Sequence, residues 1–288
     1  MATTITQPQT AAPPKPLVEL RGGRGGVSRA TLREAWAFRE VLLAFAVRFI
    51  KVKYKQAAVG IGWAVLQPVL AAAIFALVLG RYAHVSSEGV PYLLFALAGM
   101  VLWTYFSTAG TTAVDSLVVD QALLRKVFFP RELIPLGAVV AGLVDLAPSL
   151  VLLIVVALLY GVTPAVSWVV LLVPVLIVTL SLSALSLALS ALNVYYRDVR
   201  YAVPFIFQLG LFASPVVYPL QVIPSPWDRV YGIVNPVAGA IDAMRDIVVH
   251  GHWPDAVVTL GALGWSCVAL VIGYFFFKRL ERGFADRV

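Results

Sequence analysis

The residues able to do chemistry in this sequence are few and scattered. His250 and His252 flank Gly251, but a His-x-His pair with no third ligand at metal spacing reads as solvated surface. Cys267 is the single cysteine, which excludes an intrachain disulfide and a cysteine-based metal site. No Ser-His-Asp set and no convergent pair of carboxylates stands out for acid–base work; Glu88, Asp228, Asp242, Asp246 and Asp255 lie apart among turn residues. The G-x-x-x-x-G-K-[ST] phosphate loop is absent, so ATP is not bound and hydrolysed here by that route. Asp145 is the one acid deep within an apolar run, where an ionisable group is a functional candidate by default. It has no obvious cation beside it in sequence, so a protonated acid and a hydrogen bond to a neighbouring helix both fit.

Four stretches are more specific. Leu123–Leu133 reads LLRKVFFPREL, with Arg125, Lys126, Phe128, Phe129, Pro130, Arg131 and Glu132 packed between two apolar runs. Pro130 disfavours helical geometry at Phe129. Positive charge in a loop retains it on the cytoplasmic side, which accounts for Arg125 and Lys126 but not for the aromatics or the proline. Upstream, TLREAWAFREVLLAFAVRFIKVKYK places Arg33, Glu40, Arg48, Lys51 and Lys55 on one helical face and Phe38, Leu42, Phe45 and Phe49 on the other. Such a basic amphipathic helix suits the membrane interface, either as an anchor or as a contact for a cytoplasmic partner. Thr179, Ser183, Ser186 and Ser190 follow one another at i, i+4, i+7 and i+11 and continue to Asn193 and Arg197. That face serves tight helix packing or lines a polar path. In NPVAGAIDAMRDIVVHG, Asn235 fits a helix cap, Pro236 the first helical position and Gly251 the stop. Val237, Ile241, Met244, Ile247 and Val248 form its apolar stripe, with Asp242, Arg245 and Asp246 off it. A re-entrant or interfacial piece and a plain surface helix both fit.

The elements that must position these residues are membrane spans. The 288 residues are 60% hydrophobic and only 13% charged, against about 25% charged in soluble domains. Six apolar segments near 60–81, 92–113, 133–160, 167–192, 201–219 and 255–277 approach or exceed the ~20 residues that cross a bilayer core. The third carries Pro135 and Pro148, which predicts a kink or tilt; the fifth is short and holds Pro204, Pro215 and Pro219. With the N-terminus inside, 19 of the 22 Lys and Arg residues fall on the inner side, leaving Arg81, Arg229 and Arg245 outside. Both termini are therefore expected in the cytoplasm. The net charge of +7 follows from that retention rather than from nucleic-acid binding. Residues 1–30, rich in Pro, Thr and Gly and without a signal-peptide apolar core, are expected to form a disordered cytoplasmic tail, followed by a transmembrane domain over 31–288.

Four segments carry a family resemblance: KVKYKQAAVGIGWAVLQP (51–68), SLVVDQALLRKVFFPRELIP (116–135), NVYYRDVRYAVPFIFQLGLFASPVVYP (193–219) and NPVAGAIDAMRD (235–246). In this order, and with six spans, the chain from about residue 33 onward resembles the membrane subunit of bacterial polysaccharide ABC exporters. These are the ABC-2-type permeases for O-antigen, capsule and teichoic acid. The resemblance implies an all-α fold of six transmembrane helices with an N-terminal amphipathic interface helix, a cytoplasmic coupling helix and short re-entrant outer gate helices. It implies a non-catalytic permease in the bacterial inner membrane, paired with a second copy of itself and with two ATPase subunits. ATP and Mg would sit on those subunits and no cofactor on this chain. The substrate would be a glycan on a lipid pyrophosphate, passing through a channel at the dimer interface. ABC-2-type export of a drug or lipid is the alternative within transport, and a membrane-embedded lipid-processing enzyme the alternative outside it.

The resemblance also distributes roles. Leu123, Leu124, Arg125, Lys126, Phe128, Phe129, Pro130, Arg131 and Glu132 become the ATPase-coupling residues. Arg33, Trp36, Phe38, Arg39 and Arg48 belong to the interface helix. Lys51, Lys53, Lys55 and Arg197 would meet the anionic head of the substrate, or of membrane lipid, at the entrance. Trp103, Tyr105, Phe106, Ser183, Ser186, Ser190, Tyr195, Phe205 and Phe212 are candidates for the channel lining. Tyr218, Trp227, Asn235, Pro236, Ile241, Met244 and Arg245 fall to the outer gate.

Overall fold

The computed structural model describes residues 38–55, 60–121 and 129–284. The chain falls into two units, 1–38 and 39–288, and the second is described below. The proposed tail over 1–30 and residues Arg33 and Trp36 lie outside the described residues.

Among the described residues every regular element is helical. α1 is Arg39–Tyr54. α2, Gly62–Tyr82, loosens into a wide π turn over Ala76–Tyr82. α3 is Tyr92–Val119 and α4 is Leu133–Leu159. α5, Val166–Tyr195, opens with a tight 3-10 turn at Val166–Val170. α6 is Val199–Ala213, α7 is Trp227–Val234, and α8 is Pro236–Arg245 with a further wide turn at Asp246–His250. α9 is Ala256–Glu281.

Five of these helices (α2, α3, α4, α5 and α9) are long and apolar enough to cross a membrane. The fifth expected span is shorter than its apolar run. α6 has 15 residues, or about 22 Å at 1.5 Å per residue, against a hydrocarbon core of about 30 Å. Ser214 precedes Pro215, and the proline ring disfavours helical geometry there; Ser214 is accordingly extended, with ψ 132°. Pro135 in α4 occupies the first turn, where no intrahelical N–H is needed. Pro148 lies in the interior of α4, which nonetheless runs unbroken from Leu133 to Leu159.

α3 is the central helix. In its apolar stretch 78% of residues are buried by the rest of the chain, against 17% in α2 and 28% in α9. It packs against α2, α4, α5, α6 and α8. α2 and α9 leave most of their apolar surface uncovered, as helices facing lipid or another subunit do. The chain places two clusters at opposite ends of α3. At one end, Asp115 and Asp120 meet Arg200, at the start of α6, and Arg48. At the other, Tyr92 meets the chain that follows α6 and Phe95 meets Arg245 of α8. The first is the basic end, where Arg48, Arg131, Arg200 and Lys278 make their contacts.

α1 runs alongside α4. Its Phe45 backs onto Gly137, where an added Cβ would lie 2.7 Å from that of Phe45. Its Lys53 and Tyr54 reach Asp145. Eight positions separate the two contacts on α4 and eight or nine on α1, about two turns on each helix. A side chain at Gly137 has no room without displacing α1. We expect Gly137→Leu to cost about 1–3 kcal/mol, read as a lower melting temperature in detergent together with faster proteolysis between α1 and α2.

Candidate functional site

Three ties converge on the chain between α3 and α4 at the basic end. Asp120, directly after α3, pairs with Arg48 of α1. The Arg48 guanidinium also lies 5.9 and 5.6 Å from the rings of Phe45 and Phe49. The Phe129 ring sits 5.3 Å from that of Phe45. α1 therefore touches both flanks of the segment at 122–128. Arg131 and Glu132 are directed instead toward α9, through Phe284 and Lys278. Leu123, Leu124, Arg125, Lys126 and Phe128 lie outside the described residues.

Asp145 is an ion-pair partner. It accepts from Lys53 and from the Tyr54 hydroxyl, both on α1. A narrow polar crevice follows from it between α2, α3 and α4, with Gln67, Thr104, Tyr105, Thr108 and Ser149 along its walls. Of the four basic residues assigned to the entrance, Lys53 is thus engaged, while Lys51, Lys55 and Arg197 are exposed.

The opposite end is built around a buried arginine. Arg245 is 1% exposed. Its Nη1 donates to the carbonyls of Pro215 (2.9 Å) and Tyr218 (3.2 Å), Nη2 to Val216 (2.6 Å) and Nε to Phe95 (3.4 Å). The guanidinium lies 3.6 Å from the Phe95 ring centre. The neighbouring carbonyls are filled in the same way. Tyr92 donates to Val217, Tyr231 to Ala213 and Tyr218 to Phe212, while Ser214 receives the Val216 N–H. Every carbonyl from Phe212 to Tyr218 thus has a donor although the helix has ended. Ser214 is also fixed by the Asn235 amide (3.1 Å), and Asn235 caps α8 by accepting from Ala238 N–H (3.3 Å). Pro236 at the first position and Gly251 at φ 69° complete α8 as its sequence implies.

Acids and a histidine surround Arg245. Burial, reinforced by Asp246, raises Asp242 to about 7, and burial pulls Arg245 down to about 10 against the attraction of Asp242 and Glu88. His250 sits 3.8 Å from Asp246 and 3.6 Å from Glu88. Asp246 and then Glu88 hold its imidazole above the ordinary value, against the opposing effect of burial.

The remaining candidates divide by exposure. Trp103, Tyr105 and Phe106 are buried inside the bundle; the Trp103 and Phe106 rings are 5.5 Å apart, and Phe106 meets Phe207 at 5.4 Å. Ser183, Ser186 and Ser190 are buried as well. Ser183 bonds back to Thr179 O and Ser190 to Leu187 O. Helix joins on this stretch of α5 come from Thr179 to Tyr105 (3.3 Å), Asn193 to Val114 O (3.0 Å) and Ser181 to Ser266 (2.9 Å). Tyr195 donates to Leu280 O. Phe205 and Phe212 are exposed, as is their neighbour Tyr201. Trp227 is exposed, Tyr218 is half-buried, and Ile241 and Met244 are fully buried. Arg245 was read as lying off the apolar stripe, and its burial was missed. The sequence places Arg245 between Asp242 and Asp246 on a short helix after an Asn-Pro start, but it gives no sign of the turn that covers it.

A bundle of apolar helices with a structured junction at its basic end and a sealed turn at the other defines a multi-pass membrane protein. The family comparison makes the class specific: residues 40–249 match the ABC-2 type transporter family, and the chain belongs to it. It is 29% identical over 261 residues to the O-antigen export system permease protein RfbA of Myxococcus xanthus, covering 89% of this chain and 98% of that protein. It is 26% identical to an RfbA of Klebsiella pneumoniae, covering 86% and 94%. It is 20% identical to the polysialic acid transport protein KpsM of Escherichia coli, covering 83% and 92%.

Replacing Arg245 by Met leaves several buried carbonyls without donors. We expect a loss of more than about 3 kcal/mol, seen as a large drop in detergent melting temperature, with partial recovery for Arg245→Lys. The His250 contacts add a pH dependence. A folded-state value raised above the unfolded one stabilises fully below about pH 6.5, and that contribution is lost as pH rises through the folded value. The melting temperature of the native chain should therefore exceed that of His250→Gln at pH 5.5 and approach it by pH 8.5, the effect not exceeding about 1 kcal/mol at this partly exposed site.

Proposed function

We propose that this chain is the transmembrane subunit of an ATP-driven exporter that carries a lipid-linked polysaccharide across the bacterial cytoplasmic membrane. The near-full-length match to permeases named for O-antigen and polysialic acid carries this reading. With no phosphate loop in the sequence, ATP and Mg belong to a separate ATPase subunit, and this chain is not catalytic.

The basic end faces the cytoplasm, with both termini, because Lys and Arg concentrate there. α6 and the turn after it make the sixth pass: α6 starts near Asp115 and the turn reaches Tyr92. α1 is the interface helix, and the segment from Ser116 to Phe129 couples to the ATPase. Its flanks are held on α1 by Asp120 and Phe129, so a push on the segment meets a braced element. Lys51, Lys55 and Arg197 remain exposed to attract the lipid pyrophosphate. Tyr201, Phe205 and Phe212 on α6 offer ring faces to sugar C–H surfaces at an interface with a second copy of the chain. α7 and α8 form the outer gate.

The test is reconstitution with the ATPase and a lipid-linked glycan. The native chain should retain the ATPase on purification and export glycan in step with ATP use. Phe128→Asp with Phe129→Asp should lower export at least about tenfold while the permease still inserts and pairs, since a charge removes the apolar anchoring of the segment. Normal export by that variant would refute the coupling role.

A further inference from the structure

Taking the coupling role of the α3–α4 connection as its premise, we propose that α9 is the connecting rod that carries displacement of this connection to α7 and α8 at the outer face, with Lys278 and Glu132 as its positioning residues.

The lower joint is specific. The Lys278 ammonium lies 2.8 Å from Glu132 at the start of α4 and 2.9 Å from Glu281 one turn on. The Glu132 carboxylate is 13% exposed, so this is a partly desolvated pair of higher value than a free surface contact. Next to it, the Arg131 guanidinium lies 5.7 Å from the Phe284 ring, and Phe284 is fully buried against Tyr195 and Phe277. Glu132 therefore grips the last turn of α9 and Arg131 the residue three positions past its end.

The shaft is held straight by α5. A Cβ at Gly273 would stand 2.5 Å from the Ala184 carbonyl, so the two backbones touch. The upper joint is equally tight. A Cβ at Gly261 would meet Ile233 at 2.7 Å, one at Gly232 would meet Val258 at 2.7 Å, and one at Gly239 would meet Ala262 at 3.2 Å. The first turns of α9 thus interlock with α7 and α8. A helix of 26 residues spans about 39 Å, which joins the two ends through packed contacts and no loop. Close-packed helices transmit displacement because they compress little, and both joints are contiguous physical contacts.

The test uses the assembled permease–ATPase complex in vesicles, with Cys267→Ala and Val234→Cys on the exposed side of α7. A membrane-impermeant maleimide reports the exposure of position 234 with and without ATP. The native pair should show a severalfold ATP-dependent change in labelling rate. Glu132→Lys or Lys278→Glu alone should flatten that change and lower glycan exported per ATP hydrolysed about tenfold, with the ATPase still bound. The double charge exchange should restore both by more than half. An unchanged ATP response in the single variants would overturn the rod, as would no response in a native pair that exports. Loss of ATPase binding in both single variants and in the exchange would also overturn it, by reducing the pair to a folding contact. If the native complex shows no ATP-dependent export at all, the function proposed above falls instead.

Discussion

Backbone polar groups that leave a helix inside an apolar environment need partners, because water is not there to supply them. That constraint explains the arrangement between α6 and α7. The chain ends α6 at Ala213 because of Pro215, and the carbonyls from Phe212 to Tyr218 would otherwise be orphaned. Three tyrosines, one backbone N–H and Arg245 take them. Arg245 suits the task because its guanidinium offers five donors in a fixed plane and here serves carbonyls on three sides. The carbonyl dipoles and the Phe95 face offset the cost of burying its charge. α8 is drawn into the bundle by the same contacts, and its Asn235 cap is shared with Ser214. The position of α7 and α8 thus follows from filling one set of lone pairs.

At the basic end charge is handled differently. Arg48–Asp120 and Lys53–Asp145 pair one half-exposed cation with one largely buried carboxylate. Each carboxylate would be costly alone, and each cation keeps contact with solvent while neutralising it. The result binds α1 to the end of α3 and to the middle of α4 without closing off the outer side of α1. The amphipathic helix is accordingly a part of the bundle along its Phe45 side, where Gly137 admits it, and retains exposed Lys51 and Lys55 on the other.

The parts legible in the sequence were those governed by local rules. Asn235, Pro236 and Gly251 marked α8 because caps and stops act within one turn. Five spans were legible because apolar length is a local property, and the prolines flagged the shortness of α6. What lay beyond reach depended on partners far along the chain. Lys53 and Asp145 are 92 positions apart, and nothing near Asp145 announces its cation. Arg245 sits off the apolar stripe of its own helix, and only the fold shows that the turn after α6 covers that side. For the hydroxyl face of α5, period alone cannot tell packing from a path; in the fold its serines are buried, and Thr179 and Asn193 join it to α3. Trp103, Tyr105 and Phe106 likewise look the same in sequence as Tyr201, Phe205 and Phe212, yet the former lie inside the bundle and the latter on its surface.

At the basic end each largely buried carboxylate is held by a cation that keeps part of its surface in solvent. The guanidinium at the opposite end cannot leave its carbonyls without exposing several buried acceptors, each at about 1–3 kcal/mol. The turn after α6, the end of α8 and the start of α3 are therefore held together as one piece. The two ends are thus sealed by different means: charge paired at the edge of solvent at one, and a broken helix whose lone pairs are all filled in apolar surroundings at the other.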